Sequence, residues 1–347
     1  MQRLTVAGRL LITALVLGGI YFAFTMFGGK DALKKLAPET KTEVATTTSE
    51  SSSESTASSS ESSSSSSSES SPASDGGGQA PRFSYSPPGP VAGKLKGVVE
   101  LGASGFNSFI IRIDADKNWK LEKAEFGNSL VMENMASDDD IRTGLKKYIA
   151  GMLDYGVSGR DIHFVVSSGA TKAEGTQKIT NVLKSLKYFV NTVTPEQEGK
   201  LGLKCVQPAK FADNSFVADI GSGNTKISWK DGGKISSVES YGAKYFQSNV
   251  SDDVVAKEVQ AKSKQIPSAN RGTCFIIGGV PFELAKKVRK EKERYTTLDA
   301  ASAYQLDNAK SKAGLNIYKA IAESTGCKQF VFDWDANFTI GFLLELP

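Results

Sequence analysis

The sequence predicts an α/β fold that begins near Gly97 and follows a membrane anchor and a tether. Short apolar strands that end in glycines alternate with amphipathic helical segments, as in sheets joined by crossover helices. A strand, a glycine turn and a second strand occur together twice, about 120 residues apart. The residues before Gly97 have a composition that forms no soluble core. We therefore expect one two-lobed domain or two small domains within roughly 250 residues.

Residues 1–30 are predicted to anchor the chain in a membrane. Leu10 to Gly29 are 20 residues without a charge, which as a helix would span about 30 Å of hydrocarbon. This run is longer than that of a signal peptide, and a poor cleavage site follows it. Basic residues flank both ends of the span. We expect a single-pass protein whose larger part lies on the outer side, periplasmic or extracellular.

Residues 31–96 are predicted to form a disordered linker. Between Ser49 and Ser74, 18 of 26 residues are serine, and the remainder are mostly isolated glutamates and small residues. Such a segment has almost no apolar area to bury, so we expect a solvated tether.

The composition excludes several classes of function. The single histidine, His163, excludes multi-histidine zinc sites, and three widely spaced cysteines support neither a zinc ribbon nor a disulfide scaffold. The net charge of +4 is too small for this length to indicate nucleic-acid binding. The sequence leaves a homodimer open.

Three glycine turns are candidate binding elements. The first follows Glu100, and the second follows Asp219 in the same register. Glycines let backbone N–H groups approach an anion, and a carboxylate at a strand end can hold a divalent ion or its water. We expect both turns to face a common cleft. The third, Gly278-Gly279, follows the apolar run Thr273–Ile277 and is predicted to begin a helix.

The segments from Gly97 to Leu346 resemble the exopolyphosphatase and guanosine pentaphosphate phosphohydrolase (Ppx/GppA) family of the actin-like ATPase superfamily. The matches occur in the family's order. They are Glu100–Ser104 with Phe106 (D-L-G-S-N-S-F), Ser167–Ala173 (T-S-A-x-R-x-A), Thr194–Leu201 (S-G-x-E-E-A-x-L), Asp219–Lys226 (D-I-G-G-G-S-T-E) and Tyr241–Lys244 (G-x-V-R).

The resemblance implies two ribonuclease-H-like lobes, residues 97–211 and 212–347, around a phosphate-binding cleft. It implies Glu198 as the general base and a divalent cation such as Mg²⁺ held by Glu100 and Asp219. The implied phosphate-binding residues are Gly102, Ser104, Gly221, Ser222, Gly223, Asn224, Thr225 and Lys226, and the nucleotide-binding residues are Gly278 and Gly279.

The sequence departs from the family at three positions and leaves three functions open. Glu100 replaces an aspartate, Gln197 replaces a glutamate, and Lys226 replaces the glutamate that closes the second motif. The first function is a phosphohydrolase acting on polyphosphate or a phosphorylated nucleotide such as a guanosine polyphosphate. The second is a nucleotide-binding ATPase or switch. The third is an inactive, membrane-tethered sensor or scaffold for a phosphorylated ligand.

Overall fold

The computed structural model describes residues 83–102, 105–127, 137–171 and 174–347. The predicted anchor at residues 10–29, most of the predicted linker, and Ser104 lie outside these ranges. Among the described residues, no helix is both long and apolar enough to cross a membrane. The anchor and the outer location therefore stay predictions.

The first half of the fold is a five-stranded sheet with two helices and the order β3-β2-β1-β4-β5. Strands β1 and β2 form an antiparallel hairpin, and β4 runs parallel to β1. The elements are β1 (Lys94–Gly102), β2 (Gly105–Ile113), β3 (Trp119–Phe126), α1 (Asp138–Asp154), β4 (Ile162–Val166), α2 (Glu174–Ser185) and β5 (Val190–Thr192).

Helix α3 (Pro195–Val206) leads into a six-stranded sheet with the order β10-β11-β9-β6-β7-β8. Its hairpin β6–β7 is antiparallel, and β9 runs parallel to β6, which repeats the arrangement of the first sheet. The elements are β6 (Ser215–Ile220), β7 (Asn224–Asp231), β8 (Lys234–Tyr241), α4 (Asp252–Ser263), β9 (Thr273–Ile277), α5 (Gly279–Val288), β10 (Tyr295–Thr297), α6 (Ala309–Thr325), β11 (Gln329–Asp333) and α7 (Phe338–Glu345).

Within the described residues, three apolar cores hold the layers together. Helices α1 and α2 cover the outer face of the first sheet, and α4, α5 and α6 cover the outer face of the second. The third core lies between the sheets, where Val98 and Phe109 of the first sheet share a cluster with Val217 and Phe275 of the second. Helix α3 packs on β6, β7 and β8, and α7 packs on α3 and β1. The two sheets and the two central helices therefore form one packed unit.

Ordered structure begins before Gly97, where we expected the fold to start. The ring of Phe83 lies 5.4 Å from that of Phe275 and 5.1 Å from that of Phe211, centroid to centroid. The Phe83 N–H donates to the Thr297 hydroxyl at 3.2 Å. The expected linker boundary is thus too late, because two aromatic residues at the end of a polar segment can bury their rings against the central core.

We predict that Gly341→Ala destabilises the protein by about 1–3 kcal/mol. A Cβ at this position in α7 would overlap the backbone carbonyl of Leu201 in α3, so the two helices would have to separate. Urea unfolding followed by circular dichroism would measure the change in unfolding free energy. Gly151→Ala in α1 is the matched control, because no atom lies within 4 Å of its added Cβ. It should stabilise by about 0.5–1 kcal/mol; equal effects would contradict the packing argument.

Candidate functional site

The glycine turns of the two hairpins face one cleft of about 380 Å³, as the sequence predicts. Gly102 lines it from the first hairpin, and Gly221, Ser222 and Gly223 line it from the second. Gly278 and Gly279, at the predicted strand-to-helix corner between β9 and α5, line the same cleft. The repeated sequence pattern therefore corresponds to two facing turns.

The lobes touch at two glycines on the edge of this cleft. A Cβ on Gly223 would lie 2.9 Å from the Cα of Gly169, and one on Gly169 would lie 3.2 Å from the Cα of Gly223. Real Cβ atoms rarely approach so closely, so both positions need glycine for the backbones to meet. The close contact brings Ser168, in the turn after β4, against the second hairpin.

The first turn of helix α3 places Glu198 in the cleft. Thr194 caps the helix, its hydroxyl accepting from the Gln197 N–H at 3.2 Å, while the Gln197 side chain accepts from the Thr194 N–H at 2.9 Å. This reciprocal pair is a capping box. Gln197, which departs from the family pattern, thus helps to cap the N-terminus of helix α3. Glu198 is 1% exposed and lines the cleft.

Both carboxylate oxygens of Glu198 have partners. Oε2 accepts from the backbone N–H of Ser168 at 2.7 Å and from the Ser168 hydroxyl. Oε1 forms an ion pair with the ammonium of Lys226. Glu198 therefore joins the first lobe to the hairpin of the second, and neither oxygen is without a partner.

Lys226 on strand β7 is a buried ammonium among acidic groups. Its Nζ donates to Asn224 Oδ1 at 2.9 Å and lies 3.6 Å from Asp219 Oδ2. The side chain is 3% exposed. Burial alone would lower the pKa of Lys226, but Asp219 and Glu198 raise it above its ordinary value. The ammonium is therefore charged at neutral pH.

Asn224 completes a closed ring of hydrogen bonds. Its amide Nδ2 donates to Ser168 Oγ at 2.8 Å and to Glu239 Oε1 at 2.7 Å, while its Oδ1 accepts from Lys226. Ser168, Glu198, Lys226 and Asn224 are thus linked in a cycle across both lobes. Polar networks of this kind fix side-chain positions when every member has a partner.

Thr225 does not reach the cleft, contrary to the resemblance-based expectation. Its side chain is fully buried, and its hydroxyl donates to the carbonyl of Tyr241 at 2.7 Å. Successive residues of a strand point to opposite faces, so Asn224 and Lys226 face the cleft while Thr225 faces away.

Glu100 lies on the other side of the cleft, held by two amides. Asn107 and Asn337 both donate to its Oε2, at 2.8 and 3.0 Å. Burial raises the pKa of Glu100 to about 7. Neither asparagine belongs to a motif that predicts this role, and Asn337 is brought to the site by the packing of α7 on the first sheet.

The side chains present do not fit the divalent cation that the resemblance implies. Lys226 stands between Glu198 and Asp219, and Glu100 is held by Asn107 and Asn337. An ion about 4 Å from the ammonium would be repelled by about 8 kcal/mol at an effective dielectric constant of roughly 20. Among the described residues, no group of three or more His, Cys, Asp or Glu side chains is arranged to hold a metal. The predicted metal role of Glu100 and Asp219 is therefore not supported.

The outer part of the cleft is aromatic. Phe126 of β3, Phe282 of α5 and Trp334 line it, and the Phe282 ring lies 6.1 Å from Phe126 and 5.4 Å from Trp334. Phe126 is 65% exposed, which is unusual for a phenylalanine. One cleft thus joins a charged, glycine-lined part to an apolar, ring-lined part.

Solved structures share this architecture. An exopolyphosphatase from Cytophaga hutchinsonii superposes with a TM-score of 0.57 at 13% identity, covering 72% of this chain and 96% of that one. A PPX-GPPA enzyme from Aquifex aeolicus gives 0.54 at 16%, covering 73% and 99%. The described chain has the actin-like fold of these proteins. No protein-family model and no curated protein matches the sequence. The comparison thus confirms the fold that the sequence motifs implied.

We predict that Glu100→Gln gains stability over the wild type as pH rises. The carboxyl has its raised pKa of about 7 only in the folded protein. The stabilisation that the protonated carboxyl gives to the folded state is therefore complete below about pH 4.5 and is lost as pH rises through 7. The amide substitution, which keeps the acceptor for Asn107 and Asn337, should gain up to about 3 kcal/mol between pH 4.5 and 8.

Unfolding free energies at several pH values would measure this difference. Glu125→Gln, at an exposed position on β3, is the control and should follow the wild type throughout. A Glu100→Gln difference that does not change with pH would contradict the raised pKa.

Proposed function

We propose that this chain binds a phosphorylated ligand in the cleft and hydrolyses its terminal phosphoanhydride bond, as a phosphohydrolase of the exopolyphosphatase type. The observation that carries the proposal is the placement of glycine turns from two hairpins around one cleft with a buried acid, Glu198, beside them. The ligand classes are polyphosphate and phosphorylated nucleotides, including guanosine polyphosphates.

The charges of the cleft support an anionic ligand. Lys226 and Lys310 line it, and glycine turns allow phosphate oxygens to approach the backbone. Burial raises the pKa of Glu100 to about 7, so this carboxyl carries only part of its negative charge when a phosphate enters near neutral pH. The cleft therefore presents two lysine side chains to the phosphate, while Glu100 repels it with only part of a full negative charge.

Glu198 would act as the general base once Lys226 releases it. A phosphate oxygen that takes the Lys226 ammonium leaves Glu198 Oε1 to accept a proton from water, while Ser168 continues to hold Oε2. The water oxygen then bonds to the terminal phosphorus, the bridging P–O bond breaks, and its electron pair leaves with the shortened chain. Base catalysis and ligand binding are thereby linked through one lysine.

A second candidate, the phosphate-ligand sensor without turnover, is favoured by the pairing of both Glu198 oxygens. If the ammonium stays on Glu198 in the bound state, the carboxylate has no oxygen for a water, and the cleft binds without hydrolysis. If residues 10–29 are the predicted membrane anchor, they would place such a sensor at the membrane. Turnover measurements separate the two candidates.

The aromatic part of the cleft favours a ligand that carries a nucleobase over a bare phosphate chain. The ring of Phe126 is 65% exposed beside the glycines, with Phe282 and Trp334 in the same lining, and a purine can stack on such a ring. Gly278 and Gly279, which the resemblance to the wider ATPase superfamily implies as nucleotide-binding residues, are in the same cleft. We therefore propose a phosphorylated nucleotide as the preferred ligand class.

We predict that Glu198→Gln lowers the rate of phosphate release from inorganic tripolyphosphate or guanosine 5′-tetraphosphate by about 10²–10⁴-fold, the usual share of a general base. Phosphate release by the full-length chain would be followed with a coupled assay. Glu196→Gln is the control, because that side chain is 64% exposed on the same helix and pairs with Lys200 at the surface. It should hydrolyse like the wild type.

Two results would count against hydrolysis by Glu198. Equal turnover in Glu198→Gln and the wild type would exclude it as the base. A wild type that binds the ligand but releases no phosphate would establish the sensor in place of the enzyme. Melting temperatures of each variant show whether a loss of turnover reflects unfolding, because Glu198 is also the partner of a buried ammonium.

We predict that Phe126→Ala weakens binding of guanosine 5′-tetraphosphate by about 5- to 150-fold, the effect of losing a ring on which a base stacks. Binding of inorganic tripolyphosphate should not change. Calorimetric titration of both ligands measures the difference. Phe189→Ala removes another exposed ring, 88% accessible and outside the residues that line the cleft, and should leave both affinities unchanged. Equal losses for the two ligands would contradict a nucleobase site.

A further inference from the structure

Lys226 stands at the junction of the glycine turn and the acidic residues. Its partner across the hairpin is Asp219, since the two residues are paired in the register of β6 and β7. A Cβ on Gly221 would lie 3.6 Å from the Lys226 Nζ, so the ammonium lies directly against the turn that lines the cleft. A phosphate bound in this turn would therefore lie close to the ammonium.

The ammonium has unused hydrogen-bonding capacity. It carries three N–H donors, and two of them have short acceptors, on Glu198 and on Asn224. Asp219 Oδ2 at 3.6 Å is beyond hydrogen-bond distance. Within the described part of the chain, the third donor therefore has no short acceptor. A phosphate oxygen is an acceptor of the right charge for it.

We propose that the Lys226 ammonium takes the place of a divalent cation in this cleft, so that the chain binds its phosphorylated ligand without a metal ion. The inference rests on the proposed function, because it concerns the ligand bound there. The ammonium neutralises Glu198, lies beside Asp219 and lies against the glycine turn at Gly221. A divalent cation bound between these groups would make the same contacts. A metal ion between Glu198 and Asp219 would have to displace this buried, paired lysine.

The test is calorimetric titration of the full-length chain, in detergent, with inorganic tripolyphosphate in EDTA and in Mg²⁺. Free tripolyphosphate must be corrected for its own magnesium complex. We expect the wild type to bind in EDTA with an affinity within about threefold of that in Mg²⁺. Lys226→Met, which keeps the length and removes the charge, should lose about 10- to 150-fold in both buffers, the range for a hydrogen bond to a charged group.

Two further variants sharpen the test. Lys230→Met is the matched control, on the same strand and outside the cleft lining, and should bind like the wild type. Lys226→Glu places a third carboxylate beside Glu198 and Asp219, so it should bind tripolyphosphate only with Mg²⁺ and should bind Mn²⁺ in an electron paramagnetic resonance titration. If Lys226→Glu fails to fold, the wild type and Lys226→Met still decide the question.

The outcomes separate the two proposals. Wild-type binding that falls tenfold or more in EDTA, or unchanged binding by Lys226→Met, overturns the lysine-for-metal inference and leaves the proposed function standing. Absence of binding of both tripolyphosphate and guanosine 5′-tetraphosphate, with and without Mg²⁺, overturns the proposed function and this inference with it. Binding in EDTA that depends on Lys226 supports both.

Discussion

The buried ion pair between Lys226 and Glu198 is the interaction on which the rest of the cleft depends. Removing one partner of such a pair leaves an uncompensated charge and typically costs about 3–5 kcal/mol. The pair also fixes geometry, because Glu198 holds Ser168 of the first lobe while Lys226 holds Asn224 of the second. The contact between the lobes and the chemistry of the cleft therefore depend on the same four side chains, those of Ser168, Glu198, Lys226 and Asn224.

The parts of the site that follow local chain patterns could be predicted from the sequence. Glycines after Glu100, after Asp219 and after Ile277 mark strand ends, and all three lie in the cleft. The sequence also shows that Lys226 replaces the glutamate that closes the second family motif. Strand alternation, applied to Asn224 and Lys226, would further have removed Thr225 from the phosphate-binding set, since neighbouring residues face opposite sides of the sheet.

The remaining features depend on packing between segments far apart in sequence. Glu198 meets Lys226 because α3 packs on β7 and β8, and no spacing in the sequence encodes that contact. Asn337 reaches Glu100 across 237 residues because α7, although it follows the second sheet, lies against β1. The rings of Phe83 and Tyr85 extend the core from a segment whose composition resembles a linker. In each case tertiary burial determines the outcome.

A fold shared at 13–16% identity does not determine what happens in the cleft. Here one side-chain exchange changes the electrostatics of the site: a glutamate would add negative charge and call for a cation, whereas a lysine supplies the cation itself. Because that lysine also occupies Glu198, an entering phosphate competes with the carboxylate for one ammonium. A phosphate held by the third N–H of Lys226 leaves the ion pair intact, whereas one that takes over the N–H bound to Glu198 frees the base. The balance between a sensor and an enzyme therefore depends on which anion holds Lys226 in the bound state.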